Sequence, residues 1–344
     1  MEYFAGANTR KGFYSIFDEC FKNTERLYIL KGSSGCGKST LMRRIAEKAK
    51  RLNLDTDLIY CSADSDSLDG VIIPKLGIAV ADGTAPHSMD VKYPCVRENI
   101  VNLGQFWDES KLIPKRNDII SLTDRKSFHY KNAYGSLSAF GTIDDLKKSL
   151  VSQSILRSDL EGCAFKMAEK LCNGANGHVK RIFTSAFTSS GVKTLSTFGE
   201  VENLYRVIGK GAEFLMNAIS GIAREKGENI TESLSPTNPC VIDSIYFEGS
   251  NSLITMLDIP PCKTALHEKT VSTSRFTNNE ILTGMRSKIR ALERLSDEIL
   301  LDAQKELASA RSVHSKIESI YIPAMNFTAL DEYTFELISK IFSE

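Results

Sequence analysis

The residues best suited to chemistry lie in one short run, Gly32-Ser33-Ser34-Gly35-Cys36-Gly37-Lys38-Ser39-Thr40. Gly32, Gly35 and Gly37 allow positive φ and close approach, so successive backbone N–H groups can turn into one concavity. A helix N-terminus behind that concavity would add partial positive charge, which favours phosphate. Lys38 has the reach to meet the outer phosphates of a nucleoside triphosphate. The Ser39 hydroxyl can ligate Mg²⁺, and Thr40 would add a phosphate contact. The spacing is G-x-x-x-x-G-K-[ST], the P-loop or Walker A pattern. ATP and Mg²⁺ are therefore the expected cofactors, with Gly32 to Thr40 as the binding segment.

The elements that must position this run are legible on both sides of it. Residues 26–30, RLYIL, form a short apolar run suited to a buried strand. After the loop, Leu41, Met42, Ile45, Ala49 and Leu52 recur at helical spacing, with Arg43, Arg44, Glu47 and Lys48 between them. Strand, glycine loop and amphipathic helix is the context that the motif requires. A second apolar run, LGIAVAD over 76–82, ends in Asp82, which is placed to hold Mg²⁺ beside Ser39. The plainer reading of Asp82 is a turn-starting residue before Gly83. No Glu follows it, so the carboxylate that activates water in many ATPases is missing there. Lys38 and Asp82 are the expected catalytic pair, and Ser39 and Asp82 the expected metal ligands. A further strand, Leu58 to Cys61, leads into Asp64, Asp66 and Asp69, which would either supply a carboxylate or form a solvated loop. His87 lies just past the Asp82 strand, as a substrate contact or a surface side chain.

The chain also repeats itself. YFAGANTRKG over 3–12 compares with IFTSAFTSSG over 182–191, sharing Phe4/Phe183, Ala7/Ala186, Thr9/Thr188 and Gly12/Gly191. Leu27-Tyr28 then matches Leu204-Tyr205, Leu41-Met42 matches Leu215-Met216, Asp69 matches Asp243 and Asp82 matches Asp258, all in chain order. The separation shrinks inside the loop, where GSSGCGKST is replaced by the shorter GKGAEF, Gly209 to Phe214. The Gly-Lys-Ser core is gone, and Glu213 stands where phosphate would lie. At about 4 Å and an effective dielectric of about 20, that carboxylate would repel each phosphate charge by roughly 4 kcal/mol. The second copy is therefore expected to serve as a structural or regulatory partner. The segment 172–178, with two Asn and two Gly, is the expected linker. It divides the chain into domains 1–175 and 176–344.

Each copy ends in a helical region. Leu282 to Tyr321 contains no proline and keeps an apolar stripe at three-to-four spacing. Within it His314 and Glu318 fall one turn apart and can pair. The counterpart over 115–172 is interrupted by Gly135 and Gly141. These stripes are expected to be core, or to dock a protein partner, another copy of the chain, or the other half. The fold class is α/β: a P-loop NTPase-type three-layer parallel sheet, duplicated, with added long helical segments.

Composition sets the outer bounds. With 344 residues, two domains are expected rather than one. Lys+Arg 43 balance Asp+Glu 43, so no global basic field points to nucleic acid. No run approaches the roughly 18 apolar residues of a membrane span, so no membrane insertion is expected. The N-terminus has no charged-then-apolar leader pattern. Eight cysteines without a C-x-x-C pair read as thiols of a reducing cytoplasm rather than a disulfide frame or zinc site.

Taken together, KGSSGCGKSTLM (31–42), CSADSDSLDGVIIP (61–74), VADGTAPHSMD (80–90), NLGQFWD (102–108) and HSKIESIYIPAMNF (314–327) resemble an uncharacterised bacterial family of tandem P-loop NTPases. That resemblance covers most of the chain and implies nucleotide binding at Gly32 to Thr40. In that family both copies often carry a Walker A loop, and this sequence departs from it in the second copy. The loop wording is also similar to ABC transporter ATPases. Those need an LSGGQ-type segment and a Glu after the strand-end Asp, and neither Ser136–Gly141 nor Asp82-Gly83 fits. The expected activity is a Mg-dependent ATPase or ATP-driven switch. A small-molecule or nucleotide kinase and a non-hydrolysing nucleotide-binding module remain the alternatives.

Overall fold

The computed structural model describes residues 1–86, 89–174 and 177–343. The first half runs β1 (Glu2–Phe4), β2 (Gly6–Thr9), β3 (Gly12–Ser15), α1 (Phe17–Cys20), β4 (Arg26–Lys31), α2 (Lys38–Arg51), β5 (Asp57–Tyr60), β6 (Leu68–Ile73), β7 (Ile78–Asp82), β8 (Glu98–Asn102), α3 (Glu109–Leu112), α4 (Arg116–Ser152) and α5 (Arg157–Leu171). The second half runs β9 (Val179–Ile182), β10 (Ser185–Thr188), β11 (Gly191–Thr194), β12 (Glu200–Ile208), α6 (Ala212–Glu225), β13 (Ile230–Leu234), β14 (Ile242–Phe247), β15 (Ser252–Thr255), β16 (Thr264–Ser272), α7 (Asn279–Tyr321) and α8 (Phe327–Ser343). The protein is α/β, with two six-stranded sheets of the same topology and long added helices. The first sheet has the order β1-β5-β6-β7-β4-β8, and the second β9-β13-β14-β15-β12-β16.

The sheets correct the all-parallel expectation. β4 pairs parallel with β7 and β8, and β1 parallel with β5, but β6 is antiparallel to both β5 and β7. The second sheet repeats this, with β14 antiparallel to β13 and β15. The reason is connection length. Only Pro74–Gly77 joins β6 to β7, with Gly77 at φ 63°, and a parallel crossover needs a dozen residues or more.

Burial explains the local elements. In β4, Leu27 and Ile29 face a core shared with the second half, while Tyr28 and Leu30 face the α2 side. Both sets are buried, as expected of an inner strand. In α2, Leu41, Met42, Ile45 and Ala49 supply the packed stripe, whereas Leu52, beyond the last turn, is exposed.

The halves are joined by exchange. α8, from the end of the chain, packs Leu330, Leu337 and Ile341 onto the first sheet beside α2. α5, from the first half, packs with Leu160, Ala164 and Leu171 in the core of α6 and the second sheet. The boundary residues 175 and 176 lie outside the described residues. At the centre, Phe4 and Phe183 pair with each other, each N–H donating to the other's carbonyl at 2.8 and 3.1 Å. Contact between matched residues is what a two-fold relation between the halves requires.

α4 and α7 lie antiparallel and span both halves. Ala133 and Leu137 pack with Ala303 and Leu307, and Leu150 and Val151 with Ile289. Ser136 donates to Asp302 at 2.7 Å, and His129 Nδ1 lies 2.8 Å from Glu306. α4 continues through Gly135 and Gly141, where the sequence suggested interruptions. At Gly141 a Cβ would meet Arg10 at 2.4 Å, so the missing side chain admits the bidentate Arg10–Asp145 pair. α7 is a single helix of 43 residues, about 65 Å at 1.5 Å per residue. In the first half Pro114 splits α3 from α4, because proline lacks the donor a continuing helix needs. No helix among the described residues is long and apolar enough to cross a membrane.

Candidate functional site

The loop Gly32–Gly37 leaves the end of β4 and enters α2, whose first residue is Lys38. Gly35 and Gly37 have φ of 75° and 84°, and Gly37 is the α2 N-cap in left-handed conformation. Only glycine adopts that geometry without strain. No side chain caps the helix, so its first backbone N–H groups are left without a side-chain partner at the loop. Gly32 is required for space, since a Cβ there would lie 2.5 Å from Cys36 Sγ. Cys36 is buried beneath the loop, and burial pushes its thiol pKa up.

The polar side chains converge at the carboxyl end of β4 and β7. Lys38 Nζ donates to the carbonyls of Gly32 and Ser33 at 3.0 Å each and lies 3.6 Å from Asp82 Oδ2. Asp82 closes β7 opposite Leu30. Its Oδ1 accepts from the Thr84 N–H at 2.8 Å and hydroxyl at 2.6 Å. Burial raises its pKa, opposed by the Lys38 charge and these hydrogen bonds. Ser39 Oγ accepts from the Leu68 N–H at 3.0 Å, which ties the start of β6 to the loop. Thr40 is exposed.

The three other aspartates separate. Asp69 is buried on β6, next to the Asp82 strand. Asp64 accepts from Arg311 at 2.9 Å and from Ser67 at 3.0 Å. Asp66 is exposed, 3.6 Å from Lys193. His87 lies outside the described residues.

The second half also packs against this loop and the segment after β5, which the linear sequence did not reveal. Ser34 Oγ lies 3.4 Å from the His314 ring, and His314 pairs with Glu318 at 3.5 Å as its spacing predicted. Burial lowers the His314 pKa, reinforced by Lys126 and Lys38 and opposed by Glu318 and Asp64. Lys193 on β11 donates to Ser65 at 2.7 Å. Ile322 and Leu330 approach Gly35 and Gly37 so closely that a Cβ would meet them at 2.8 and 2.9 Å. The only local signal was the i,i+4 pair of His314 and Glu318. Duplication with a long trailing helix was the indirect one.

The corresponding loop of the second half, Gly209–Gly211, is shorter than Gly32–Gly37 but ends in the same helix cap with different side chains after it. Gly211 caps α6 at φ 85°, ψ 13°, against φ 84°, ψ 9° at Gly37. Ala212, Glu213 and Phe214 follow it where Lys38, Ser39 and Thr40 follow Gly37. Sheet register corrects one match. Leu27 pairs with Ala79 and Leu204 with Leu253, so Asp82 corresponds to Met256 rather than Asp258. β15 ends at Thr255, and Asp258 lies in the following turn, where its carbonyl accepts from Arg206.

No protein-family model, curated protein or solved structure matches the chain.

Proposed function

We propose that Gly32–Thr40 bind Mg-ATP and that the protein is an ATPase or ATP-driven switch of the tandem P-loop kind. The observation that carries this reading is the convergence at one strand-to-helix loop: left-handed Gly35 and Gly37, an uncapped α2, and Lys38, Ser39 and Asp82 within one sheet end. In it, Lys38 exchanges its loop carbonyls for phosphate oxygens and neutralises charge there. The donor set fits Mg²⁺, a hard cation that takes oxygen ligands: the Ser39 hydroxyl and the Asp82 carboxylate. Among the described residues no group of three or more His, Cys, Asp or Glu could hold a metal by itself, so phosphate and water would complete its shell. Bound Mg²⁺ would supply charge neutralisation on the phosphates. On α7, His314 lies beside Ser34 of the loop and Arg311 pairs with Asp64, so both would sense its occupancy from the second half. Eight free cysteines favour a reducing, cytoplasmic setting.

The test is ADP release from Mg-ATP by the full chain with no added acceptor, with Lys38→Ala alongside. Turnover should fall by at least about a hundredfold in the variant, the scale of losing one electrostatic stabiliser. Calorimetric binding without turnover would favour the non-hydrolysing module, and turnover only with an acceptor the kinase. Absence of Mg-ATP binding at millimolar nucleotide would overturn the reading.

A further inference from the structure

The exchanged helices meet the two sheets at equivalent places, and there the halves differ again. On the first sheet, Tyr333 of α8 packs against Phe106 with ring centroids 5.5 Å apart, beside α2's core that holds Tyr28. Tyr28 is buried. On the second sheet the residue in the place of Tyr333 is Cys163, and a cavity of about 510 Å³ opens between α5, β12 and β16. Met167, Tyr205 and Val271 form its apolar wall, and Lys166, Lys170 and Arg275 stand around it. Loss of the aromatic plug coincides with a change of charge. Over the first sheet stands Glu336 where Lys166 stands over the second, and Gln105 where Arg275 stands. Lys170 Nζ donates to Tyr205 OH at 2.8 Å and lies 5.3 Å from the ring centroid. Burial pushes the Cys163 thiol pKa up, opposed by the charges of Arg275 and Lys166, and among the described residues neither of these cations forms an ion pair. Asp159 is the one acid in the lining.

We propose that this cavity binds a small organic anion. Its apolar body would lie against Met167, Tyr205 and Val271, and its acid group would sit among Lys166, Lys170 and Arg275. The volume falls within the roughly 300–1,000 Å³ of small-molecule sites, and an apolar wall with a few convergent polar groups is their usual lining. The proposal is independent of nucleotide binding at the first-half loop.

The probe is 1-anilinonaphthalene-8-sulfonate, an aromatic sulfonate, titrated into the full chain and followed by fluorescence and calorimetry. Wild type should show saturable binding at a single site that weakens with added salt. Cys163→Tyr, which reproduces the aromatic plug over the first sheet, should abolish it. Lys166→Glu and Arg275→Gln lie on the exposed rim and should each weaken it by about tenfold or more, the scale of a lost charge-assisted contact. The probe should also slow alkylation of Cys163. Thermal melting identifies any variant that fails to fold, and the two rim variants carry the test if Cys163→Tyr does. Non-saturable binding, or equal affinity in wild type and the folded variants, overturns the proposal.

Discussion

The helix caps at Gly37 and Gly211 share one backbone conformation, although the loops that lead to them, Gly32–Gly37 and Gly209–Gly211, differ in length and in side chains. Both residues cap a helix in the left-handed region with nearly identical angles. Both are pressed by an apolar side chain from the opposite half, Leu330 on Gly37 and Ile155 on Gly211. Yet Lys38, Ser39 and Asp82 of one half are Ala212, Glu213 and Met256 of the other. The left-handed glycine cap is thus present in both halves, whether or not Lys38, Ser39 and Asp82 stand beside it. Folding does not require the lysine, the hydroxyl or the strand-end acid, because the second half folds without them. Their presence in the first half is the part of the pattern that folding leaves unexplained.

Transplanting one residue across that comparison gives the largest expected effect. Ser39→Glu places the side chain of Glu213 in the first-half loop. A carboxylate at about 4 Å from a phosphate charge costs roughly 4 kcal/mol at an effective dielectric of about 20, near a thousandfold in affinity. Calorimetry with Mg-ATP should show that loss while the far-ultraviolet dichroism stays unchanged, since the second half folds with this residue in place. Wild-type affinity in the variant would break the comparison.

The second halves of the pairs also carry a burden that can be relieved. Asp243 occupies on β14 the place of Asp69 on β6, and it is buried with no hydrogen-bond partner of good geometry at either carboxyl oxygen. The hydroxyls of Ser233 and Ser244 are engaged with Thr184 and Thr255. Burial raises its pKa from 3.8 to about 7, only partly offset by Ser233, Ser244 and Ser185. Between those two values the folded state holds a proton that the unfolded state has released. Stability therefore falls as pH rises through that window and levels off above about 7. Asp243→Asn removes the charge and should raise stability by up to about 4 kcal/mol at pH 8, with the gain vanishing toward pH 4. Urea unfolding across pH checks it, and a pH-independent difference would refute the assignment.

Much of this was readable from residue types, because the signals are local. The run RLYIL, the glycine loop and the stripe from Leu41 to Ala49 specified β4, the turn and α2. The matches of Leu27 with Leu204 and Asp69 with Asp243 agree with the sheet registers. What escaped was non-local or depended on register. Strand direction in β5–β7 is set by connection length, so alternating strand and helix signals overstated the parallel content. Asp258 looked like the partner of Asp82 because both follow apolar runs, but β15 stops at Thr255. His314 reaches the glycine loop, and Arg311 and Lys193 the Asp64–Asp66 segment, only because α7 and β11 cross between halves, and no spacing within the first half encodes that.

The smallest effect is the most discriminating for the comparison itself. Gly37→Ala and Gly211→Ala place the same methyl group on the same left-handed cap, where a Cβ meets Leu330 at 2.9 Å and Ile155 at 2.8 Å. In each case the neighbour is the end of a side chain that can turn aside, so the backbone sets the cost. A left-handed residue with a Cβ costs roughly 1–2 kcal/mol. The two variants should therefore lose nearly equal stability in urea unfolding. On the proposed reading they should differ in Mg-ATP affinity: Gly37→Ala would tilt the N–H groups assigned to phosphate, whereas Gly211→Ala alters a loop that lacks the counterparts of Lys38, Ser39 and Asp82. Equal weakening of nucleotide binding by both would mean that the second loop contributes to the first site through α4 and α7, and the division between a chemical half and a structural half would fail.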